Sequence, residues 1–198
     1  MPKLHTIFGI LAAIIGLASY WPYFRSILRG ETKPNRATVG IWALTGIVGA
    51  TSYVASGARA TALLPCVNAV CGIAVFLLAL KHGVGGTSKL DIFCLLGAVV
   101  GIVGWKATGN PHTALYLTML ASTCGFAPKL KKVYFEPYTE NKTAWIMYSV
   151  AAAFSLCALT KLEPYLVLYP LYLFVFDTAI AVLVTIPRKT KIQGLQGT

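Results

Sequence analysis

The sequence predicts an all-α integral membrane protein with seven transmembrane helices, and three observations support this fold class. Hydrophobic residues make up 57 % of the 198 residues and charged residues only 12 %, whereas an average soluble domain is about 25 % charged. Seven apolar stretches are separated by short polar gaps. The basic residues alternate between these gaps, so that most of them would lie on one side of a membrane.

The apolar stretches are close to the length of a membrane-spanning helix, which needs about 20 residues. They cover residues 6–24, 39–56, 60–80, 90–105, 113–128, 143–160 and 164–187. The fourth and fifth stretches have 16 residues and need a few flanking residues to cross. Little sequence is left for a soluble domain, so we predict one membrane domain with minimal loops.

The distribution of lysine and arginine predicts how the helices are oriented. The N-terminal tail and every second gap after it hold one base each, whereas the alternate gaps hold 13 of the 17 bases. Lys and Arg resist translocation and remain in the cytoplasm. We therefore expect the N-terminus outside and the C-terminus in the cytoplasm, and the short loops favour a bacterial inner (plasma) membrane. Topology also accounts for the net charge of +11 without a nucleic-acid partner.

The layout of the stretches repeats along the chain. The first three are separated by gaps of 14 and 3 residues, and so are the last three. Pro22 and Pro128 close the first helix of each unit, and Asn35 and Asn141 follow at the same offset of 106 residues. Because three spans is an odd number, a single fourth helix keeps the two units parallel. We predict a first three-helix bundle at 1–80, a linker helix with its loops at 81–112, a second three-helix bundle at 113–187 and a basic cytoplasmic tail at 188–198.

With these features the chain resembles the PQ-loop and SWEET superfamily of seven-helix transporters, in which two parallel three-helix bundles are joined by a linker helix. Members carry a proline where Pro22 and Pro128 stand here. The glutamine that follows it in PQ-loop proteins is Tyr23 or Lys129 in this chain. The resemblance implies transport of a small polar solute (a sugar, an amino acid or a vitamin-like compound) by alternating access. A SWEET-fold ligand or sorting receptor, which binds without transport, is the alternative.

Two polar residues inside the apolar stretches are candidates for binding the solute. Asp177 lies near the middle of the seventh stretch, where a charge costs about 2.5 to 3.5 kcal/mol on insertion scales. It is either a substrate ligand and proton carrier, or a structural aspartate bonded to a neighbouring helix. Asn68 follows Pro65 in the third stretch. The resemblance to SWEET proteins implies that Asn68 faces the solute, and an interhelical hydrogen bond is the alternative.

Aromatic residues form one face of the seventh helix. Tyr165, Tyr169, Tyr172 and Phe176 are spaced 4, 3 and 4 residues apart, which is the spacing of a single helical face. This face either packs against the bundle or lines a cavity and stacks on a ring-shaped substrate. In the second case Tyr169, Tyr172 and Phe176 are substrate-binding residues.

Four further aromatic residues lie near the cytoplasmic ends of the predicted spans: Tyr20, Trp21, Trp42 and Trp145. They either anchor the helices at the membrane interface or form a cytoplasmic gate. Trp42 and Trp145 are also candidates for substrate binding.

Pro22 and Pro128 each remove a backbone hydrogen bond within a helix and permit bending. They are therefore candidate hinges for opening the cytoplasmic side, or else they produce a fixed kink. Seven helices also describe retinal proteins, but those need a lysine in the last helix, and 164–187 contains none.

Composition points away from enzymes and cofactors. The five cysteines lie within apolar stretches without a C-x-x-C pair, and the three histidines have no carboxylate partner in the sequence. We therefore predict no metal, cofactor or catalytic residue. The loop 129–142 holds Glu136 and Glu140 among lysines, which we interpret as a solvated surface. The expected partners are the lipid bilayer, a small polar solute and, in a homo-oligomer, further copies of the chain.

Overall fold

The computed structural model describes residues 2–86 and 88–186, and this part of the chain is helical without strands. It contains the α-helices α1 (Pro2–Leu28), α2 (Arg36–Ala55), α3 (Leu63–His82), α4 (Lys89–Thr108), α5 (Pro111–Phe135), α6 (Lys142–Cys157) and α7 (Pro164–Thr185). Short 3-10 turns, Ala60–Ala62 and Pro137–Thr139, precede α3 and α6. The all-α prediction is confirmed, whereas the basic tail predicted at 188–198 lies outside the described residues.

Asparagine side chains begin α2 and α6 in the same way. Asn35 accepts a hydrogen bond from the backbone N–H of Thr38 at 3.0 Å, and Asn141 accepts one from Ala144 at 2.8 Å. Such caps satisfy backbone donors that have no partner inside the helix. The Nδ2 of Asn35 also donates to Asp91 Oδ1 at 3.2 Å, which ties the start of α2 to the start of α4.

The α1–α2, α3–α4 and α5–α6 connections meet at one end of the molecule. The backbone N–H of Lys33 donates to the carbonyl of Thr139 at 3.1 Å, and that of Val84 donates to Pro34 at 2.8 Å. We call this the basic end. The following lysines and arginines lie in or beside these connections: Arg25, Arg29, Lys33, Arg36, Lys81, Lys89, Lys129, Lys131, Lys132 and Lys142.

The remaining connections meet at the opposite end. Ser155 donates to the carbonyl of Thr61 at 3.4 Å, and the hydroxyl of Tyr53 donates to Leu166 at 2.7 Å. Consecutive helices therefore run in alternating directions between the two ends.

Six of the helices close a ring. Helix α3 packs against both α1 and α2, and α7 packs against both α5 and α6. Contacts of α1 with α6 and of α2 with α5 complete the ring in the order α1, α3, α2, α5, α7, α6. Helix α4 packs mainly on α5 and also touches α2.

The outer surface of the helices is apolar. Ile14, Val70 and Leu77 are 58 %, 69 % and 59 % exposed, and continuous apolar surface of this kind is typical of contact with lipid or protein. Among the described residues, four helical segments are long and apolar enough to cross a membrane: Lys3–Leu28, Arg36–Ala55, Ala60–His82 and Pro164–Thr185. Helix α6 has 16 residues, and α5 includes lysines in its last third.

Candidate functional site

A cavity of about 130 Å³ lies inside the ring and is lined by side chains of all six ring helices. Seven of the residues singled out from the sequence line it: Tyr20, Trp42, Asn68, Trp145, Tyr169, Tyr172 and Asp177. These residues are far apart in the chain, and the ring of helices brings them to one place.

Asp177 projects from α7 into the cavity. Its carboxylate makes no hydrogen bond or ion pair with any described residue. Tyr20, Tyr148 and Tyr172 are close enough to interact with it electrostatically, and no lysine or arginine is among the described residues that line the cavity. The neighbouring Thr178 pairs instead with Ser149 of α6 at 2.6 Å. The carboxylate is thus free to bind a solute or a proton.

Asn68 lines the cavity from α3 and accepts a hydrogen bond from the hydroxyl of Tyr20 at 3.3 Å. Asn68 therefore forms an interhelical hydrogen bond and also faces the cavity, so both interpretations of this residue remain open. The carbonyl oxygen joins α3 to α1, while the amide donors remain available to a ligand.

Hydroxyl groups on the α2–α5 side of the cavity form a satisfied network. Ser122 donates to Thr45 Oγ1 at 2.7 Å, and Thr45 donates to the carbonyl of Ile41 at 2.8 Å. The indole N–H of Trp42 donates to the carbonyl of Ser122 at 3.2 Å. Sequence analysis missed Thr45 and Ser122, because single hydroxyl residues within apolar helices are common and give no distinctive pattern.

Aromatic rings line the cavity on the side of the basic end. Trp145 contacts Tyr148, Tyr23 and Trp42 edge-on, with ring centroids 5.4, 6.3 and 6.4 Å apart. Tyr20 meets Tyr148 in the same manner at 5.0 Å. Edge-to-face pairs of this kind are favourable beyond their buried area. On the other side of the cavity, Tyr169 packs edge-on against the fully buried Tyr53 at 5.0 Å.

Four of the predicted site residues do not line the cavity. Phe176 stacks against Phe126 at 4.2 Å and supports the wall from behind. Trp21 is 72 % exposed on the outer surface, because one step along a helix turns the side chain by about 100° from the inward Tyr20. Pro22 and Pro128 lie inside α1 and α5, and the amide of Asn141 donates to the carbonyl of Pro22 at 3.4 Å.

A buried charged cluster at the basic end was not anticipated from the sequence. Glu140 Oε2 lies 2.6 Å from Lys129 Nζ, and Glu140 Oε1 lies 2.8 Å from Lys132 Nζ. The indole N–H of Trp145 donates to Glu140 at 3.2 Å. The prediction of a solvated surface is therefore wrong for Lys129 and Glu140, which are 1 % and 6 % exposed. Helix α5 continues to Phe135 and carries Lys129 inward beside the buried Pro128.

Burial and the neighbouring charges have opposite effects on the pKa values of Lys129 and Glu140. Burial lowers the pKa of Lys129, and the Glu140 carboxylate opposes this change. Burial by itself would raise the pKa of Glu140, but the ammonium groups of Lys129 and Lys132 outweigh it and hold that pKa below its usual value. Lys129 lies at ion-pairing distance without an aligned hydrogen bond to a described residue, and its ammonium stands 4.8 Å from the Trp145 ring.

Metal binding has no visible basis in residues 2–86 and 88–186, where no three His, Cys, Asp or Glu side chains are grouped to hold an ion. Comparison with protein families, curated proteins and solved structures finds no match for this chain. Its function is therefore inferred from the cavity and from the repeated arrangement of the helices.

Proposed function

We propose that this protein is a membrane transporter that moves a small polar solute by alternating access. The observation that carries the proposal is the central cavity, which presents the unpaired carboxylate of Asp177 and the amide of Asn68. Aromatic pairs lie on the sides of this cavity that face the two ends of the molecule. A cavity between helices of an apolar bundle, with a few polar groups among aromatic walls, is what a carrier of a small polar solute needs.

The proposal includes a three-plus-one-plus-three organisation, with α1–α3 and α5–α7 as parallel bundles and α4 as the linker. In support, the third helix of each unit packs against the other two helices of that unit. The first helix of each unit also packs against the second helix of the other unit, α1 against α6 and α5 against α2. The repeated asparagine caps agree with the same correspondence. On these grounds we propose membership of the PQ-loop and SWEET superfamily, whose bundles rock about a central site.

Rocking of the two bundles would separate contacts that join them at the basic end. The pair of Trp42 and Trp145 joins α2 to α6, and Thr38 donates to the carbonyl of Gly125 in α5 at 3.0 Å. Pro22 and Pro128 lie inside the helices that would bend, α1 and α5, and we propose that they act as hinges. Transport would be coupled to protons if the carboxylate of Asp177 binds a proton in the empty carrier and binds the solute in the loaded carrier.

We further propose that the protein resides in a bacterial inner membrane, with the N-terminus outside and the C-terminus in the cytoplasm. The clustering of lysines and arginines at the basic end supports this orientation, since such residues stay in the cytoplasm. The apolar outer surface would contact lipid and could also form the interface of a homo-oligomer.

Counterflow in liposomes tests the transport proposal. Purified protein is reconstituted, the vesicles are loaded with an unlabelled solute from a panel of sugars, amino acids, vitamins and small amines, and uptake of the labelled solute is followed. We expect transient accumulation for one solute class, lost in Asp177→Asn and retained in Glu163→Gln, whose carboxylate is exposed away from the cavity. A solute that binds with micromolar affinity but shows no counterflow would instead identify a ligand or sorting receptor.

A further inference from the structure

We infer that the central cavity binds a compact organic cation, held between aromatic rings and the carboxylate of Asp177. The inference rests on the proposed function and deepens it by naming the solute class. Three properties of the cavity carry it: its charge, the chemistry of its walls and its volume.

The cavity holds one carboxyl group that can carry a negative charge and no basic side chain beside it among its described lining residues. Asp177 is the one ionisable carboxylic acid among its described lining residues, and they include no lysine or arginine. Lys129 and Lys132, which lie toward the basic end, are paired with Glu140. An isolated carboxylate in a low-dielectric site is costly, and a cationic ligand supplies the missing countercharge.

The walls suit an ammonium group better than a hydrated metal ion. Eight of the 18 lining residues are aromatic, compared with 12 % of the whole chain. The π-face of Trp or Tyr attracts ammonium groups, and aromatic cages recognise quaternary ammonium ligands. Lys129 already uses this chemistry, since its ammonium lies 4.8 Å from the Trp145 ring. Trp42, Tyr20, Tyr148 and Tyr172 remain to surround a ligand beside Asp177.

The volume limits the ligand to a few heavy atoms. The cavity of about 130 Å³ is close to an engineered cavity of about 150 Å³ that binds benzene. At the offset of 106 residues Asn68 lies three positions before the equivalent of Asp177, so the two polar groups are displaced by about 4.5 Å along the helix axes, at about 1.5 Å per residue. A short molecule with an ammonium group at one end and a hydroxyl group at the other fits both side chains. A larger ring would need an expanded cavity.

Choline and its uncharged carbon analogue, 3,3-dimethylbutan-1-ol, provide the test, because they differ in charge and hardly in shape. Binding to the purified protein in detergent is measured by tryptophan fluorescence and calorimetry. We expect choline to bind at least about tenfold more tightly than the analogue, since a desolvated cation–π contact is worth this much or more. Equal binding of the two compounds, or no binding of choline at tens of millimolar, would overturn the inference.

Variants add a second criterion. Asp177→Asn should weaken choline binding at least about tenfold, while Glu163→Gln should leave it unchanged. Should Asp177→Asn fail to fold, the comparison of choline with its analogue on the parental protein still decides. Choline binding without counterflow in liposomes would refute transport and leave this inference standing. Counterflow of a neutral solute without choline binding would refute this inference and leave transport standing.

Discussion

Replacing Glu140 by glutamine should destabilise the protein strongly, because its carboxylate is the ion-pair partner of both Lys129 and Lys132, and the ammonium group of Lys129 is buried. The substitution keeps an oxygen that can accept from Trp145 but removes the charge that lies 2.6 Å from Lys129 and 2.8 Å from Lys132. Removing one partner of a buried ion pair typically costs about 3–5 kcal/mol, because a charge is left buried without compensation. For a chain of this length that corresponds to a fall in Tm of about 6–20 °C.

The assay is thermal unfolding of detergent-purified protein, with Glu136→Gln as the matched control. Glu136 lies in the same connection but is exposed, so its replacement should leave Tm within about 2 °C of the parental value, as is usual for surface substitutions. Lys129→Met should cost less than Glu140→Gln, because Glu140 then keeps Lys132 and Trp145 as partners.

The double variant Lys129→Met, Glu140→Gln decides whether the reasoning is sound. With the most deeply buried ammonium removed, the double variant should be more stable than Glu140→Gln alone, since replacing a buried ion pair as a whole is often close to neutral. Lys132 can still reach solvent, as its side chain is 9 % exposed. A double variant no more stable than Glu140→Gln, or a single variant within about 1 kcal/mol of the parental protein, would show that the ion pairs do not hold this end together.

Three further predictions concern pH, helix caps and hinges. Because the folded protein holds the pKa of Glu140 below its ordinary value of 4.5, the stability that this carboxylate contributes is complete above pH 4.5 and is lost as pH falls through the lower folded pKa. Thermal unfolding between pH 6 and pH 3 should therefore show a steeper loss in the parental protein than in Glu140→Gln, and parallel curves would contradict this. Replacing Asn35 or Asn141 by alanine should each cost about 1 kcal/mol through loss of the helix cap. The loss should be larger for Asn35, because it also donates to the carboxylate of Asp91 at 3.2 Å, whereas Asn141 donates to the neutral carbonyl of Pro22 at 3.4 Å. Equal Tm values for variant and parent would show that the caps do not stabilise the protein. Pro22→Ala and Pro128→Ala should leave Tm nearly unchanged but slow counterflow. Counterflow at the parental rate in both variants would refute the hypothesis that these prolines act as hinges.

Much of the helical layout could be predicted from the sequence, because an apolar stretch between polar gaps is a local property. The end of α5 shows where this fails. The apolar stretch ends at residue 128, yet the helix continues to Phe135, since lysine is a good helix former. Sequence periodicity does not report that Lys129 turns inward to meet Glu140, because that pairing depends on how the α5–α6 connection folds back.

Some residues of the candidate site could likewise be predicted from the sequence, and others could not. Asp177 and Asn68 could be proposed as lining residues because an acid or an amide within an apolar stretch is easily recognised in the sequence. Tyr23 and Tyr148, which also line the cavity, could not be singled out among ten tyrosines. Trp21 and Tyr20 are adjacent in the sequence, and only the rotation of α1 assigns one to the exterior and the other to the cavity.

The offset of 106 residues has a consequence for how the cavity can recognise a molecule. At this offset the capping asparagines are identical, whereas the residues around the cavity differ: Cys71 corresponds to Asp177, Val39 to Trp145 and Tyr20 to Phe126. Two identical halves would present two carboxylates to one solute, and two such groups in a shared site disfavour each other's ionisation. In this chain only one of the two corresponding positions, that of Asp177, holds a carboxyl group. A molecule with a charge at one end would therefore bind this cavity in one preferred orientation, although the helices around it pack in corresponding pairs.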